Sequence, residues 1–267
     1  MSTSPPPTPP SRALIDDEPR FKTITLPCEW VKDYRPGGYH PVVLGDVFNR
    51  GQYKVIRKLG EGSYSTVWLA RDLNGYVALK ILVSEISGPT TELRILRHIT
   101  TVAPAGGAHY IMRLLGEFEH RGSNGLHRCL IFEPMGPSVN TILEELPQFN
   151  SRRIEMKVRY SLRMAKSILK QSLQALAFLH ENGIAHRVFQ PGNILVTLTL
   201  NDIDLTPEDV LWQEEDVQTR STSTPVQRLD GKQDKWAPRY LCVAQPLVPF
   251  TCYAEGFKVK LSDMSGG

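Results

Sequence analysis

Gly60-Glu61-Gly62-Ser63-Tyr64-Ser65-Thr66-Val67 is a glycine-rich turn between two β-type runs. Glycines let a ligand approach the backbone closely, so amide N–H groups there can face phosphate oxygens. A plain hairpin turn has the same composition, and the turn alone does not separate the two readings. A dinucleotide-binding fold needs a helix after its glycine loop. Here Val67-Trp68-Leu69-Ala70 is β-branched and aromatic and runs into another turn, which disfavours a dehydrogenase. One strand later, Val77-Ala78-Leu79-Lys80 sets Ala78 and Lys80 on the same strand face. A small residue there leaves room for a flat ring, and the lysine ammonium can reach phosphates. A solvent-facing lysine on an edge strand is the alternative. Glycine turn, hairpin and Ala-x-Lys together make a specific combination.

The elements that must hold these residues are legible in outline. Residues 53–83 form three short β-type runs, the last two separated by Leu73-Asn74-Gly75, a strong hairpin signal. An antiparallel meander is expected there. A short helix is expected at about 90–99, then strands at Ile111–Glu119 and His127–Phe132 joined by a Gly/Ser/Asn turn. Val158, Leu162, Ala165, Leu169, Leu173 and Leu176 recur at steps of three and four, predicting an amphipathic helix over about 154–181 with that face apolar. Asn182-Gly183 can end it. Short strands follow at 193–196 and 257–261, separated by a stretch over 199–256 without clear periodicity. Connections of that length are usually functional or disordered. The Pro/Ser/Thr-dense N-terminus, residues 1–32, reads as a disordered tail.

Bulk properties exclude several classes. The net charge of +3, from 31 basic and 28 acidic residues, is too balanced to argue for a nucleic-acid partner. No apolar stretch approaches the roughly 20 residues of a membrane helix, and no membrane partner is expected. The N-terminus lacks a secretory apolar core, and the four cysteines show no metal-ligand spacing. A cytoplasmic or nuclear protein is the expectation.

These residues resemble the small lobe of a eukaryotic protein kinase. Tyr34-Arg35-Pro36-Gly37-Gly38-Tyr39-His40-Pro41-Val42, Gly45-Asp46, the run from Tyr53 to Gly60, and Ser65-Thr66-Val67-Trp68-Leu69 are similar to the SR-protein kinases, especially divergent fungal members. Cys129-Leu130-Ile131-Phe132-Glu133-Pro134-Met135-Gly136 resembles that family's hinge. The similarity runs over about 33–264. It implies an α+β, two-lobed kinase-like fold with a complete small lobe over 33–133 and an incomplete helical large lobe over 134–267, with an insertion at about 199–256.

The resemblance further implies ATP and Mg²⁺ as cofactors and a protein, as substrate or regulatory partner. Leu59, Gly60, Gly62, Ser65, Val67 and Ala78 would enclose the nucleotide, Lys80 would hold its phosphates, and Glu92 would pair with Lys80. Glu85 is the alternative partner, because 12 residues is a short separation (92 − 80 = 12). Phe132 would sit behind the adenine, the Glu133 and Met135 backbone would bond its edge, and Asn193 and Asp263 would bind metal. Met264-Ser265 replaces the usual Phe-Gly after Asp263.

Two departures stand out. In Ala185-His186-Arg187-Val188-Phe189-Gln190-Pro191-Gly192-Asn193, Val188 fills the position of the aspartate that accepts the substrate hydroxyl proton, and Gln190 that of the charge-neutralising lysine. His186 reads as a packing residue, so no catalytic residue is assigned. The chain also ends at Gly267, shortly after Asp263. Without the family's remaining helices, the apolar face of the long helix would lack much of its usual cover and form an exposed patch. A kinase acting on Ser/Arg-rich proteins, a non-catalytic ATP-binding regulator and a non-functional fragment are the competing readings. The basic run from Arg152 to Lys170 is a solvated helix face or a site for an acidic partner.

Overall fold

A computed structural model of the chain describes residues 20–102, 108–145, 160–198, 222–251 and 257–264. Six strands build one antiparallel sheet: β1 (Val47–Phe48), β2 (Tyr53–Gly62), β3 (Ser65–Asp72), β4 (Gly75–Leu82), β5 (Leu114–Gly122) and β6 (Gly125–Phe132), in the order β1-β2-β3-β4-β6-β5. The expected meander is present, and its registers run without slip across β3 and β4, from Ser65↔Leu82 to Asp72↔Gly75. The strand expected at 111–119 begins later, at Leu114, because Ile111 and Met112 turn away to meet Leu261. Gly125 closes the β5–β6 hairpin at φ +136, where a Cβ would lie 2.2 Å from the Ser84 hydroxyl.

Both faces of the sheet's middle are covered, so β3, β4 and β6 are buried along most of their length rather than at alternate residues. On the inner face Ala78, Leu82, Leu130 and Phe132 pack on Leu93, Leu96 and Ile99 of helix α1 (Thr91–Val102). The Thr90 hydroxyl accepts from Leu93 N–H at 3.2 Å, starting α1 so that Glu92 falls in its first, buried turn. On the outer face Val55, Trp68, Leu79, Ile81 and Ile131 are covered by Val42, Phe48 and Cys242.

That outer cover changes two expectations. The N-terminal tail read over 1–32 gives way to packed chain from Arg20 on: Phe21 is buried and bridges to Arg228, and Glu29 is buried. Residues 222–251, within the stretch without periodicity, fold back over the sheet. Leu241, Cys242 and Leu247 are buried, and Leu247 meets Ile56, Leu69 and Tyr76. These segments lack periodicity because single residues, not faces, make the contacts. Residues 199–221 and 252–256 lie outside the description.

Below the sheet lie helices α2 (Val139–Glu145) and α3 (Leu162–Glu181) and the strand pair β7 (Ile194–Val196) and β8 (Val259–Leu261). The architecture is the expected two-lobed α+β arrangement. The long helix, however, starts at Leu162 after the Ser161 cap, not at 154; residues 154–159, with Val158, are outside the description. The apolar face read from the sequence, expected to lack its usual cover, is largely exposed, and a second face packs. Ile168, Gln171, Ser172, Ala175, Phe178 and Leu179 are buried, whereas Leu162, Leu169 and Leu173 are 71%, 58% and 61% exposed. The polar Gln171 belongs inside because its amide donates to Phe257 O and accepts from Val259 N–H, at 3.0 and 2.9 Å, holding β8. Among the described residues no helix is long and apolar enough to cross a membrane.

Candidate nucleotide site

Between the sheet and the β7–β8 pair lies a cleft of about 440 Å³. Leu59, Gly60, Gly62, Ser65, Val67, Ala78, Lys80, Glu92, Glu133, Met135, Asn193 and Asp263, each singled out in the sequence, all line it, as does Phe132. The β4–β6 register explains the back wall: Ala78 pairs with Phe132 and Lys80 with Leu130, so Ala78, two residues from Lys80, opens the cleft beside the hinge.

Lys80 is gripped from one side. Its ammonium lies 2.5 Å from the Glu92 carboxylate and 4.0 Å from Asp263. Glu92 is 7% exposed, so this pair is little screened. Glu85, the alternative partner, instead meets Arg35 at the surface, at 2.6 Å. The short separation of 12 residues works because α1 begins only nine residues after β4 ends (91 − 82 = 9).

Asn193, just before β7, and Asp263, just after β8, reach the cleft from the same end of that strand pair. Ser262 N–H and hydroxyl both donate to Asn193 O, at 2.8 and 3.0 Å, which sets the two residues side by side. His186 Nε2 meets Ser262 O at 3.0 Å and fixes the loop before β7 to the same point. Burial depresses the His186 imidazole below its usual value, against the opposing pull of Ser262 O and Asp263, and it serves as a neutral packing group. Arg187 and Asp263 both adopt positive φ, +63° and +59°. Such backbone costs on the order of 1–3 kcal/mol and collects at functional sites.

Val188 and Gln190 do not line the cleft. Val188 N–H donates to His186 O at 2.8 Å, and Asn193 Nδ2 donates to Val188 O at 2.9 Å. The loop is thus tied through backbone atoms, whatever side chain stands at 188. Gln190 is exposed.

A model of the protein kinase domain matches residues 53–207, more than half of the chain. The chain belongs to the protein kinase family. Its curated relatives fit the SR-protein kinase resemblance. This kinase domain is 37% identical to serine/threonine-protein kinase spk-1 of Caenorhabditis elegans over 65% of its length. It is 33% identical to serine/threonine-protein kinase SKY1 of Saccharomyces cerevisiae over 78%. It is 34% identical to SRSF protein kinase 3 of Sus scrofa over 86%. It spans 17%, 29% and 40% of those proteins' own lengths. A crystal structure of another kinase domain superposes with a TM-score of 0.50 at 22% identity, over 85% of this chain and 54% of that one, and carries the same fold.

The kinase cleft also holds residues that the sequence did not single out. Leu195 could have been found, since Ile194 and Val196 are buried and the residue between them must point the other way. Met112 and Met264 line the depth of the cleft, and Pro246 comes from the fold-back segment. Pro246 had no periodic signal.

The residues fit a magnesium nucleotide. An added Cβ at Gly60 or Gly62 meets nothing within 4 Å, so these glycines leave open room beside the backbone. Asn193 and Asp263 offer hard oxygen donors of the kind Mg²⁺ takes. With the Asn193 amide nitrogen committed to Val188 O, its oxygen remains to face the cleft.

Proposed function

We propose that this kinase domain binds Mg²⁺-ATP in the cleft and transfers phosphate to protein serine or threonine slowly or not at all. The observation that carries the binding half is the Lys80–Glu92 pair with Asp263 beside it, at 2.5 and 4.0 Å. An ammonium held by two carboxylates is fixed in place, ready for phosphate oxygens. Asn193 and Asp263 would hold the metal, Leu59, Val67 and Ala78 the base, and the backbone of Glu133 and Met135 its edge. When bound, Mg²⁺-ATP supplies the transferable phosphoryl group and neutralises much of its charge.

Val188 supports the other half. Its isopropyl group neither accepts nor orients a proton, and a positioned general base contributes about 10²–10⁴ in rate. Gln190 brings no charge to offset that on the transferring group. The partner in this reading is a protein, either a Ser/Arg-rich substrate, as the SR-protein kinase resemblance implies, or a target regulated without catalysis.

A thermal-shift titration with Mg²⁺-ATP tests the first half. Stabilisation of about 2.7 kcal/mol is expected at a hundredfold excess over Kd, and Lys80→Ala should abolish most of it. No nucleotide-dependent stabilisation of the unaltered chain would remove the reading. Robust labelling of an Arg/Ser peptide by the pure protein, lost in Lys80→Ala, would overturn the claim of slow transfer.

A further inference from the structure

The glycine-rich turn continues the β2–β3 ladder through Glu61↔Thr66 and Gly62↔Ser65, and Val83 N–H donates to Tyr64 O at 2.9 Å, but its side chains add little. Ser63 and Tyr64 at its tip are exposed, and an added Cβ at Gly60 or Gly62 finds no neighbour within 4 Å. Glycine backbone also loses the most entropy on ordering. Two side chains from outside the turn grip it. The Tyr39 ring is buried, 6% exposed, and its hydroxyl donates to Gly62 O at 2.7 Å. The Lys58 ammonium, with its side chain 0% exposed, meets the Glu61 carboxylate at 2.7 Å. That ammonium also donates to the Glu29 carboxylate and, at 3.0 Å, to Cys242 O.

An ammonium has three N–H donors. Here the three acceptors come from three segments far apart in the chain: the N-terminal stretch, the glycine turn and the fold-back. Gln245 N–H closes the arrangement by donating to Lys58 O at 2.8 Å. Burial first, then the carboxylates of Asp33, Glu29 and Glu61, push the Tyr39 phenol up to about 12, so its hydroxyl remains a donor at any physiological pH.

We propose that Tyr39 and Lys58 are positioning residues for the nucleotide phosphates: by holding Gly62 and Glu61 from behind, they set the height of the turn's amides over the cleft. Neither side chain lines the cleft itself. The proposal rests on the nucleotide reading above. If the turn is released, only a fraction of molecules present the closed turn, and apparent affinity for a phosphate-bearing ligand falls by that fraction. A ligand without phosphates, held by the base pocket, is indifferent.

Tyr39→Phe removes one oxygen and keeps the packed ring. The Kd for Mg²⁺-ATP and Mg²⁺-ADP should rise about three- to tenfold, the yield of one hydrogen bond, while that for adenosine changes less than twofold. Amide hydrogen exchange over residues 60–66 of the nucleotide-free protein should speed up, with the melting temperature nearly unchanged. Glu61 itself lines the cleft, so Glu61→Gln is read by amide exchange alone, which should likewise speed up over residues 60–66 if the Lys58 contact tethers the turn. Equal weakening of adenosine and ATP would mark Tyr39 as merely structural and overturn the proposal, as would unchanged ATP affinity. If the unaltered chain binds neither ATP nor adenosine, the nucleotide reading falls and the phosphate role with it. Amide exchange then still decides whether Tyr39 tethers the turn.

Discussion

Lys58→Met keeps most of the side-chain length and deletes a charge where water cannot replace it. Lys58 and Glu29 side chains are 0% and 2% exposed. Without the ammonium, the Glu29 carboxylate keeps, among the described residues, the Tyr34 hydroxyl, and Cys242 O loses its Lys58 donor. Removing one partner of a buried pair costs about 3–5 kcal/mol, a large share of the 5–15 kcal/mol that holds a typical domain. Urea unfolding followed through Trp68, which is 1% exposed, is the assay. The midpoint should drop by about 1–2 M with little change in slope. Adding Glu29→Leu should recover most of the loss, since replacing both partners with apolar groups is often close to neutral. A loss under about 1 kcal/mol, or a double variant no better than the single, would refute the claim that this pair is desolvated and mutually dependent.

Acid should destabilise the small lobe through a histidine cluster. His40 packs edge-on against His120 and tilted against His127, with ring centroids 4.6 and 4.9 Å apart, beside Phe48. Burial, then the neighbouring imidazoles, pulls His40 down to about 3; burial also lowers His120, against Asp46, and His127, against Leu82 O. The unfolded chain therefore binds more protons below about pH 6.5, so this stability is present above that pH and is lost on descending toward 3. For His40 alone the loss is roughly 2 kcal/mol by pH 5, and His40→Phe should flatten the dependence of the urea midpoint between pH 7 and 5. Leu247→Ala, at a fully buried position against Ile56, Leu69 and Tyr76, should cost about 2–5 kcal/mol by the same melt. A loss near zero would mean that the fold-back is not part of the core.

The glycine turn, Lys80 and the hinge were legible because each is local. Strand alternation sets Ala78 and Lys80 on one face, and both line the cleft. Glu92 was harder, since its partnership depends on where α1 begins, and Thr90 decides that by capping. Residues such as Pro246, Cys242 and Glu29 leave no pattern at all. Each acts through a single contact made across the fold, so neither period nor spacing marks it.

Helix α3 shows a further reason why periodicity runs out. The helix carries two apolar stripes: Leu162, Leu169 and Leu173 stay exposed, while Ile168, Ala175, Phe178 and Leu179 are buried together with the polar Gln171 and Ser172. Hydrophobicity alone does not separate them, since each stripe carries several large apolar side chains. The decisive residue is Gln171, whose amide satisfies two backbone groups, at Phe257 and Val259, that would otherwise be buried without partners. An orphaned buried backbone group costs about 1–3 kcal/mol, comparable to the roughly 1.5–3 kcal/mol gained by burying one leucine. Because β8 must be held for Asp263 to reach the cleft, the orientation of α3 is set by hydrogen bonding to the strand that carries the candidate metal ligand. Greasiness of its surface is secondary.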